Sequence, residues 1–154
     1  MSRHPRPDDA SAEPAESAGS TALRASRWLL AAGFVFAGVM HFVITPQYVR
    51  IMPPWLPLHR ELVLLSGVCE IAGGVGLLVP RTRRAAGVGL VLLLVAVFPA
   101  NVQMLLDARA AHASPTAQTL LWARLPLQLA LVAWVAAASG LRRRRRPRAI
   151  TVRE

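Results

Sequence analysis

The chain has 154 residues, of which 54% are hydrophobic and only 17% are charged, and its formal net charge is +10. This composition is too apolar for an ordinary soluble domain. The charge does not indicate a nucleic-acid partner, because the arginines lie at the ends of apolar segments, as in membrane proteins. The one cysteine, Cys69, excludes an internal disulfide and a CxxC redox centre.

The chain divides into a tail, an apolar domain and a second tail. Residues 1–22 are rich in Pro, Ala, Ser and acidic residues, and we predict a disordered cytoplasmic segment. Residues 23–140 contain four apolar stretches, each close to the roughly 17–25 residues that cross a bilayer. We predict spans at about 26–44, 62–79, 85–106 and 120–139, followed by a basic cytoplasmic tail at 141–154. The predicted fold class is all-α, an integral membrane four-helix transmembrane bundle.

The distribution of arginine predicts the orientation of the spans. Most arginines precede the first span, join the second to the third or follow the fourth, where RRRRRPR occupies 142–148. The positive-inside rule then places both termini in the cytoplasm. All 18 basic residues are arginine, which is typical of a GC-rich bacterial genome, so we expect a multi-pass protein of the bacterial inner membrane. The C-terminal arginines either bind anionic lipid headgroups or only anchor the last span.

The segment between the first two spans, TPQYVRIMPPWLPLHRE, contains four prolines. Proline fixes φ and removes a backbone donor, so this segment cannot form one continuous helix. One interpretation is a stiff cap across the outer mouth of the bundle. The alternative is an interfacial loop in which Tyr48 and Trp55 act as ordinary aromatic anchors.

Polar side chains within the spans define the candidate site. With a rise of 1.5 Å per residue, Glu70 and Gln128 both lie about 12 Å below the outer ends of their helices. The other polar groups are also in the outer half, and glycines near Glu70 permit close helix packing. The candidate pocket residues are His41, Glu70, Asn101, Arg124 and Gln128.

A lone carboxylate at this depth is costly, so we expect Glu70 to be protonated or paired with Arg124. One hypothesis is an outward-facing pocket for a small ligand, a proton or a quinone headgroup. The other is a network of polar side chains that only fixes helix packing. No cluster of His, Cys or Asp has the spacing of a metal site, and we predict none.

Several segments together resemble the DoxX-like family of small four-helix bacterial membrane proteins: AGVMHFVITPQYVRIMPPWLP, LVLLSGVCEIAGGVGLLVP, FPANVQM and WARLPLQLALVAW. The resemblance covers about residues 30–136. Matching positions are His41, Pro53, Pro54, Glu70, Pro80, Pro99, Asn101, Arg124, Pro126 and Gln128.

This resemblance implies a link to membrane-bound sulfur and thiol oxidation that feeds quinone, and to complexes with redox partner proteins. The chain has no cysteine pair, so we expect an accessory membrane subunit and not a self-sufficient enzyme. We expect no intrinsic cofactor, a quinone as the small molecule bound, and the lipid bilayer, redox proteins and a second copy of the chain as partners. The alternatives are a proton-coupled carrier component and a non-catalytic structural helper.

Overall fold

The computed structural model describes residues 13–141, and this part of the chain is helical without any strand. The helices are α1 (Glu13–Val43), α2 (Thr45–Arg50), α3 (His59–Leu78), α4 (Arg83–Ala110) and α5 (Pro115–Ala138). Four segments are long and apolar enough to cross a membrane: Thr21–Val43, His59–Leu78, Arg83–Ala110 and Pro115–Ala138. The structure therefore confirms four membrane-capable helices, each close to a predicted span.

The first helix begins earlier than the sequence pattern predicts. α1 starts at Glu13, inside the segment 1–22 for which the sequence predicts disorder, and residues 1–12 lie outside the described range. The physical reason is local: this segment is rich in Ala and Glu, which favour helix, and Pro14 falls in the first turn, where proline is tolerated. Of the basic tail predicted at 141–154, residues 142–154 also lie outside the described residues.

The helix order sets the packing. α1 packs mainly against α3, α3 against α4, and α4 against α5, whereas α1 and α5 meet over a short stretch only. Many large apolar side chains on the outer surface are exposed, as expected for helices that face lipid. The buried core lies between the long helices and consists of Leu30, Phe34, Leu77, Leu90, Leu94, Val135 and Ala138.

Two glycines bring α1 and α3 into backbone contact. A Cβ built on Gly38 would lie 2.6 Å from the Gly67 carbonyl oxygen, and one built on Gly67 would lie 2.9 Å from the Gly38 carbonyl oxygen. Neither position can accept a side chain without moving a backbone. The close approach places His41 of α1 directly against α3, where a Cβ on Gly67 would be 2.8 Å from the His41 Cβ.

The bundle has two distinct ends. At the terminal end, the middle of α1 meets the end of α5, and the Arg27 Nε donates to the Ala138 carbonyl at 2.9 Å. At the loop end, residues 44–58 connect α1 to α3. This connection contains the short helix α2 and then turns, so it is not one continuous helix, in agreement with its four prolines. Pro53 is fully buried, and Trp55 is exposed.

Candidate functional site: a polar cluster near the loop end

His41 is the centre of the polar cluster and is buried between α1 and α3. Its Nδ1 lies 2.8 Å from the Val63 carbonyl oxygen and 2.9 Å from the Ser66 Oγ. The Ser66 hydroxyl itself donates to the same Val63 carbonyl at 2.8 Å. The His41 ring is therefore fixed to the first turns of α3 by one of its two nitrogens.

These partners determine which ring nitrogen of His41 carries a proton. A carbonyl oxygen only accepts, so the Nδ1 must donate and carries hydrogen. In a neutral ring the Nε2 then has a free lone pair, and in a charged ring it carries a second proton. The identity of the group facing Nε2 decides what this nitrogen does.

That group is the Glu70 carboxyl. Its Oε2 lies 3.6 Å from the His41 Nε2, a few tenths of an ångström longer than a hydrogen bond. The Oε2 is buried and makes no hydrogen bond within the described part of the chain. A carboxylate facing a bare lone pair would be repulsive, so the pair is stable when it holds one proton, either on Glu70 or on His41. The two side chains together form a protonatable pair.

Tyr48 covers this pair from α2. Its ring stacks on the His41 ring with centroids 4.0 Å apart and an interplanar angle of 29°. Burial raises the pKa of the Tyr48 phenol above its ordinary value, the Glu70 carboxylate adds to the rise, and the Arg124 guanidinium opposes it. Tyr48 therefore lies over the His41 ring, and α2 contacts α1 and α3.

Asn101 and Gln128 form a second polar pair, between α4 and α5. The Asn101 Nδ2 donates to the Gln128 Oε1 at 2.7 Å, and the Gln128 Nε2 donates to the Leu94 carbonyl at 2.6 Å. Leu94 lies just over one turn before Pro99, which lacks an N–H and displaces the preceding turn of α4. Gln128 thus bonds to α4 five residues before its internal proline.

The ion pair expected between Glu70 and Arg124 does not form. Within the described residues, the charged partner of Glu70 is His41, and the Arg124 Nη1 points to the Met104 Sδ at 3.9 Å. The reason is that the five candidate residues lie in two groups: His41 and Glu70 on the α1–α3 side, and Asn101, Arg124 and Gln128 on the α4–α5 side. Arg124 is also exposed on the surface of the bundle and not buried beside Glu70.

Two cavities separate these groups and share a wall. The first, of about 300 Å³, lies between α1 and α5 and reaches Glu70, with Gly33, Phe34 and Trp134 among its otherwise apolar walls. The second, of about 290 Å³, is lined by Asn101, Arg124 and Gln128. Leu94 and Leu131 line both cavities, so the two cavities adjoin at these leucines.

Sequence reasoning missed two members of the cluster. Tyr48 belongs to the segment with two sequence interpretations, a cap or an interfacial loop, and is not among the candidate pocket residues, although it lies seven positions after His41 and stacks on it from α2. Ser66 has the clearer signal, because it shares one face of α3 with Glu70 at i,i+4 spacing. The backbone carbonyls of Val63 and Leu94 carry no sequence signal at all.

No cluster of three or more His, Cys, Asp or Glu side chains that could hold a metal occurs in the described part of the chain. The features of this part of the molecule are four membrane-capable helices, a protonatable pair and the two small cavities beside the polar groups. They define the class as an all-helical protein suited to a membrane, with a polar cluster among its helices.

The comparison with family models gives a match to the family described as "Domain of unknown function (DUF8561)" over residues 30–139. Because this match covers most of the chain, the protein belongs to that family. The matched region begins within α1, ends just after α5 and contains all five candidate residues. Comparisons with curated proteins and with solved structures give no match.

Proposed function

We propose that the chain is an accessory membrane subunit of a redox system and that it binds a quinone headgroup beside the His41–Glu70 pair. The observation that carries this proposal is the Glu70 Oε2, a buried oxygen without a hydrogen-bond partner among the described residues, on a side chain that lines a cavity. A buried polar atom of this kind favours a ligand that supplies the missing bond. The resemblance to DoxX-like proteins supports the redox assignment.

The cavity suits a quinone in size and character. Its volume of about 300 Å³ is at the lower end of the range for small-molecule sites, roughly 300–1,000 Å³. Its walls are mostly apolar, with one carboxyl group, which fits a flat ring that carries carbonyl oxygens. The position between α1 and α5 allows entry from the lipid, where a quinone is dissolved.

The chemistry assigned to the pair is proton exchange. Reduction of a quinone to a quinol consumes two electrons and two protons, and the reverse reaction releases them. The electrons come from a redox partner protein, since the proposal gives this chain no electron carrier. Glu70 donates one of the two protons to a quinone carbonyl, and the second is taken up from water at the outer surface after the carboxylate has been reprotonated. His41 orients the carboxyl because its own Nδ1 is fixed to Val63.

We place both termini in the cytoplasm of a bacterial cell, with the pocket toward the outer side, on the basis of the arginine distribution. Single cysteines at Gln47 and Ala111, in a Cys69→Ser background, should react with an impermeant thiol reagent in intact cells, and a cysteine at Thr82 should react only after lysis. All three positions are exposed in the structure. A cysteine that fails to react in intact cells therefore lies on the cytoplasmic side and is not simply buried in the protein. The opposite labelling pattern would reverse the orientation.

The quinone site is tested by filling the cavity without disturbing the fold. A Cβ on Gly33, which lines the cavity, would have no heavy atom within 4 Å, so Gly33→Leu should fill the space at little cost in stability. Gly89→Leu is the matched control, because Gly89 is equally open but lies on α4 away from Glu70. Binding of a short-chain quinone is measured by quenching of tryptophan fluorescence in detergent.

The expected result is saturable binding to the wild type and to Gly89→Leu, and binding weaker by roughly tenfold or more in Gly33→Leu. Thermal unfolding of the three proteins should be similar. A wild type that binds no quinone, or a Gly33→Leu variant that binds as well as its control, would refute the proposal.

A further inference from the structure

The cavity of about 290 Å³ between α4 and α5 has a polar end and an apolar end. On α4 the wall residues share one face and are, in order from the loop end, Asn101, Val97 and Leu94. On α5 the wall residues also share one face and are, in the same order, Arg124, Leu127, Gln128 and Leu131. Both helices therefore change from polar to apolar in the same direction.

The two ends of this cavity lie at matched heights in the bundle. Asn101 lies nine residues before the end of α4 and Arg124 nine residues after the start of α5, so both are about 14 Å from the loop end of their helices. Leu94 and Leu131 lie seven residues further from the loops, about 10 Å. The cavity thus runs along the helix axes with its polar end toward the loops, which is the orientation of a lipid chain in a bilayer.

The polar end carries the positive charge of Arg124. No carboxylate within the described part of the chain forms an ion pair with this guanidinium, and its Nη1 lies 3.9 Å from the Met104 Sδ. Asp107 is three residues beyond Met104, but its Oδ1 accepts from the Gln103 Nε2 at 2.8 Å. Arg124 lies about 6 Å inside the span predicted at 120–139. In the proposed bilayer a guanidinium at this depth is costly unless an anion accompanies it.

Two side-chain amides at the same end retain donors for that anion. The Asn101 Nδ2 donates one hydrogen to the Gln128 Oε1, and the Gln128 Nε2 donates one to the Leu94 carbonyl. An amide nitrogen carries two hydrogens, so each amide keeps a second one that no hydrogen bond within the described residues uses. The polar end therefore offers a guanidinium and two N–H groups, a set of donors that suits a carboxylate.

We propose that this cavity binds the carboxylate end of a long-chain fatty acid. The head group pairs with Arg124 through two parallel hydrogen bonds, because guanidinium and carboxylate match in geometry. The first part of the acyl chain lies between Val97 and Leu127, and the rest continues along the outer surface, since Leu127 is 65% exposed. This binding is independent of the redox function, although the two cavities adjoin at Leu94 and Leu131.

An anionic phospholipid carries the same charge but fits this position less well. Its phosphate is joined to glycerol and to two chains, and it stays in the headgroup layer, whereas Arg124 lies inside the predicted span. A fatty acid carries one chain and a small head group, so it can place its charge at this depth.

The test compares probes that differ in charge but not in chain. Palmitate and its methyl ester share one acyl chain, and only palmitate carries a carboxylate. Native mass spectrometry of the full-length protein in a non-ionic detergent measures the binding of each, with dipalmitoyl phosphatidylglycerol as the third probe. Arg124→Gln removes the cation, and Arg60→Gln is the matched control, because Arg60 is exposed at the start of α3 and does not line this cavity.

The wild type and Arg60→Gln should bind palmitate roughly tenfold more tightly than the methyl ester, and Arg124→Gln should bind the two probes alike. Equal binding of palmitate and methyl ester by the wild type would overturn the proposal. It is also overturned if the wild type prefers phosphatidylglycerol to palmitate, or if Arg60→Gln and Arg124→Gln lose the preference for palmitate equally. The comparison on the wild type needs no variant, so it decides the matter even where Arg124→Gln fails to fold.

Discussion

Replacing Gly38 with alanine should destabilise the bundle by roughly 1–3 kcal/mol, although only one methyl group is added. The added Cβ would lie 2.6 Å from the Gly67 carbonyl oxygen and 2.7 Å from the Ile71 Cγ1. Since a backbone atom cannot rotate away, α1 and α3 must separate. That separation would also lengthen the hydrogen bond from the His41 Nδ1 to Val63.

Gly33→Ala provides the control on the same helix, because a Cβ at Gly33 meets nothing within 4 Å. It should unfold at the temperature of the wild type or slightly above, since alanine favours helix more than glycine does. Thermal unfolding in one mild detergent measures both variants. Equal stability of Gly38→Ala and Gly33→Ala would show that α1 and α3 are not in backbone contact.

Replacing Glu70 with glutamine should leave stability within about 1 kcal/mol of the wild type but should remove the pH dependence of quinone binding. The glutamine amide can donate to the His41 Nε2, which accepts in the neutral ring, so the contact between α1 and α3 is kept. The amide, however, neither gains nor loses a proton in the physiological range. The variant thus separates the packing role of Glu70 from its proposed role in proton exchange.

The direction of the pH effect follows from the proposed bond. If protonated Glu70 donates a hydrogen bond to the quinone, the wild type binds quinone most tightly while the His41–Glu70 pair holds its proton. Its affinity for quinone then falls as pH rises. Because one proton is linked to binding, the fall approaches about tenfold per pH unit. Glu70→Gln should give a flat profile, whereas Glu70→Ala should bind weakly at every pH.

Tyr48 and Arg124 also act on this region electrostatically, so Tyr48→Phe serves as the control for titration of the phenol. It should retain the pH dependence of the wild type. A Glu70→Gln profile that matches the wild type would assign the titration to another group and reduce Glu70 to a packing role.

Much of the fold could be predicted because hydrocarbon thickness and helix rise fix the length of a span. The ends of the helices were less predictable, since hydrogen bonding continues into polar residues once a helix has formed. α5, for example, begins at Pro115, where the Ser114 hydroxyl accepts from the Ala117 N–H. The apolar pattern alone starts five residues later.

The sequence predicted which residues belong to the candidate site but not which of them contact each other. Depth along each helix placed His41, Glu70, Asn101, Arg124 and Gln128 in the same half of the bundle. Depth does not specify rotation about the helix axis, however, and rotation decides that Glu70 meets His41 while Arg124 points to Met104. The close contact at Gly38 and Gly67 sets the rotation of α1 against α3, and it depends on two helices at once.

The short contact between α1 and α5 has a consequence for how affinity must be expressed. These helices are joined at the terminal end, where the Trp134 Nε1 donates to the Ser26 Oγ at 2.6 Å, and the cavity between them lies beyond that contact. Under the proposed insertion of these helices in a bilayer, a ligand that enters there exchanges with the hydrocarbon phase and not with water. Its occupancy then depends on its mole fraction in the lipid or detergent, so adding empty micelles at constant total ligand should lower saturation.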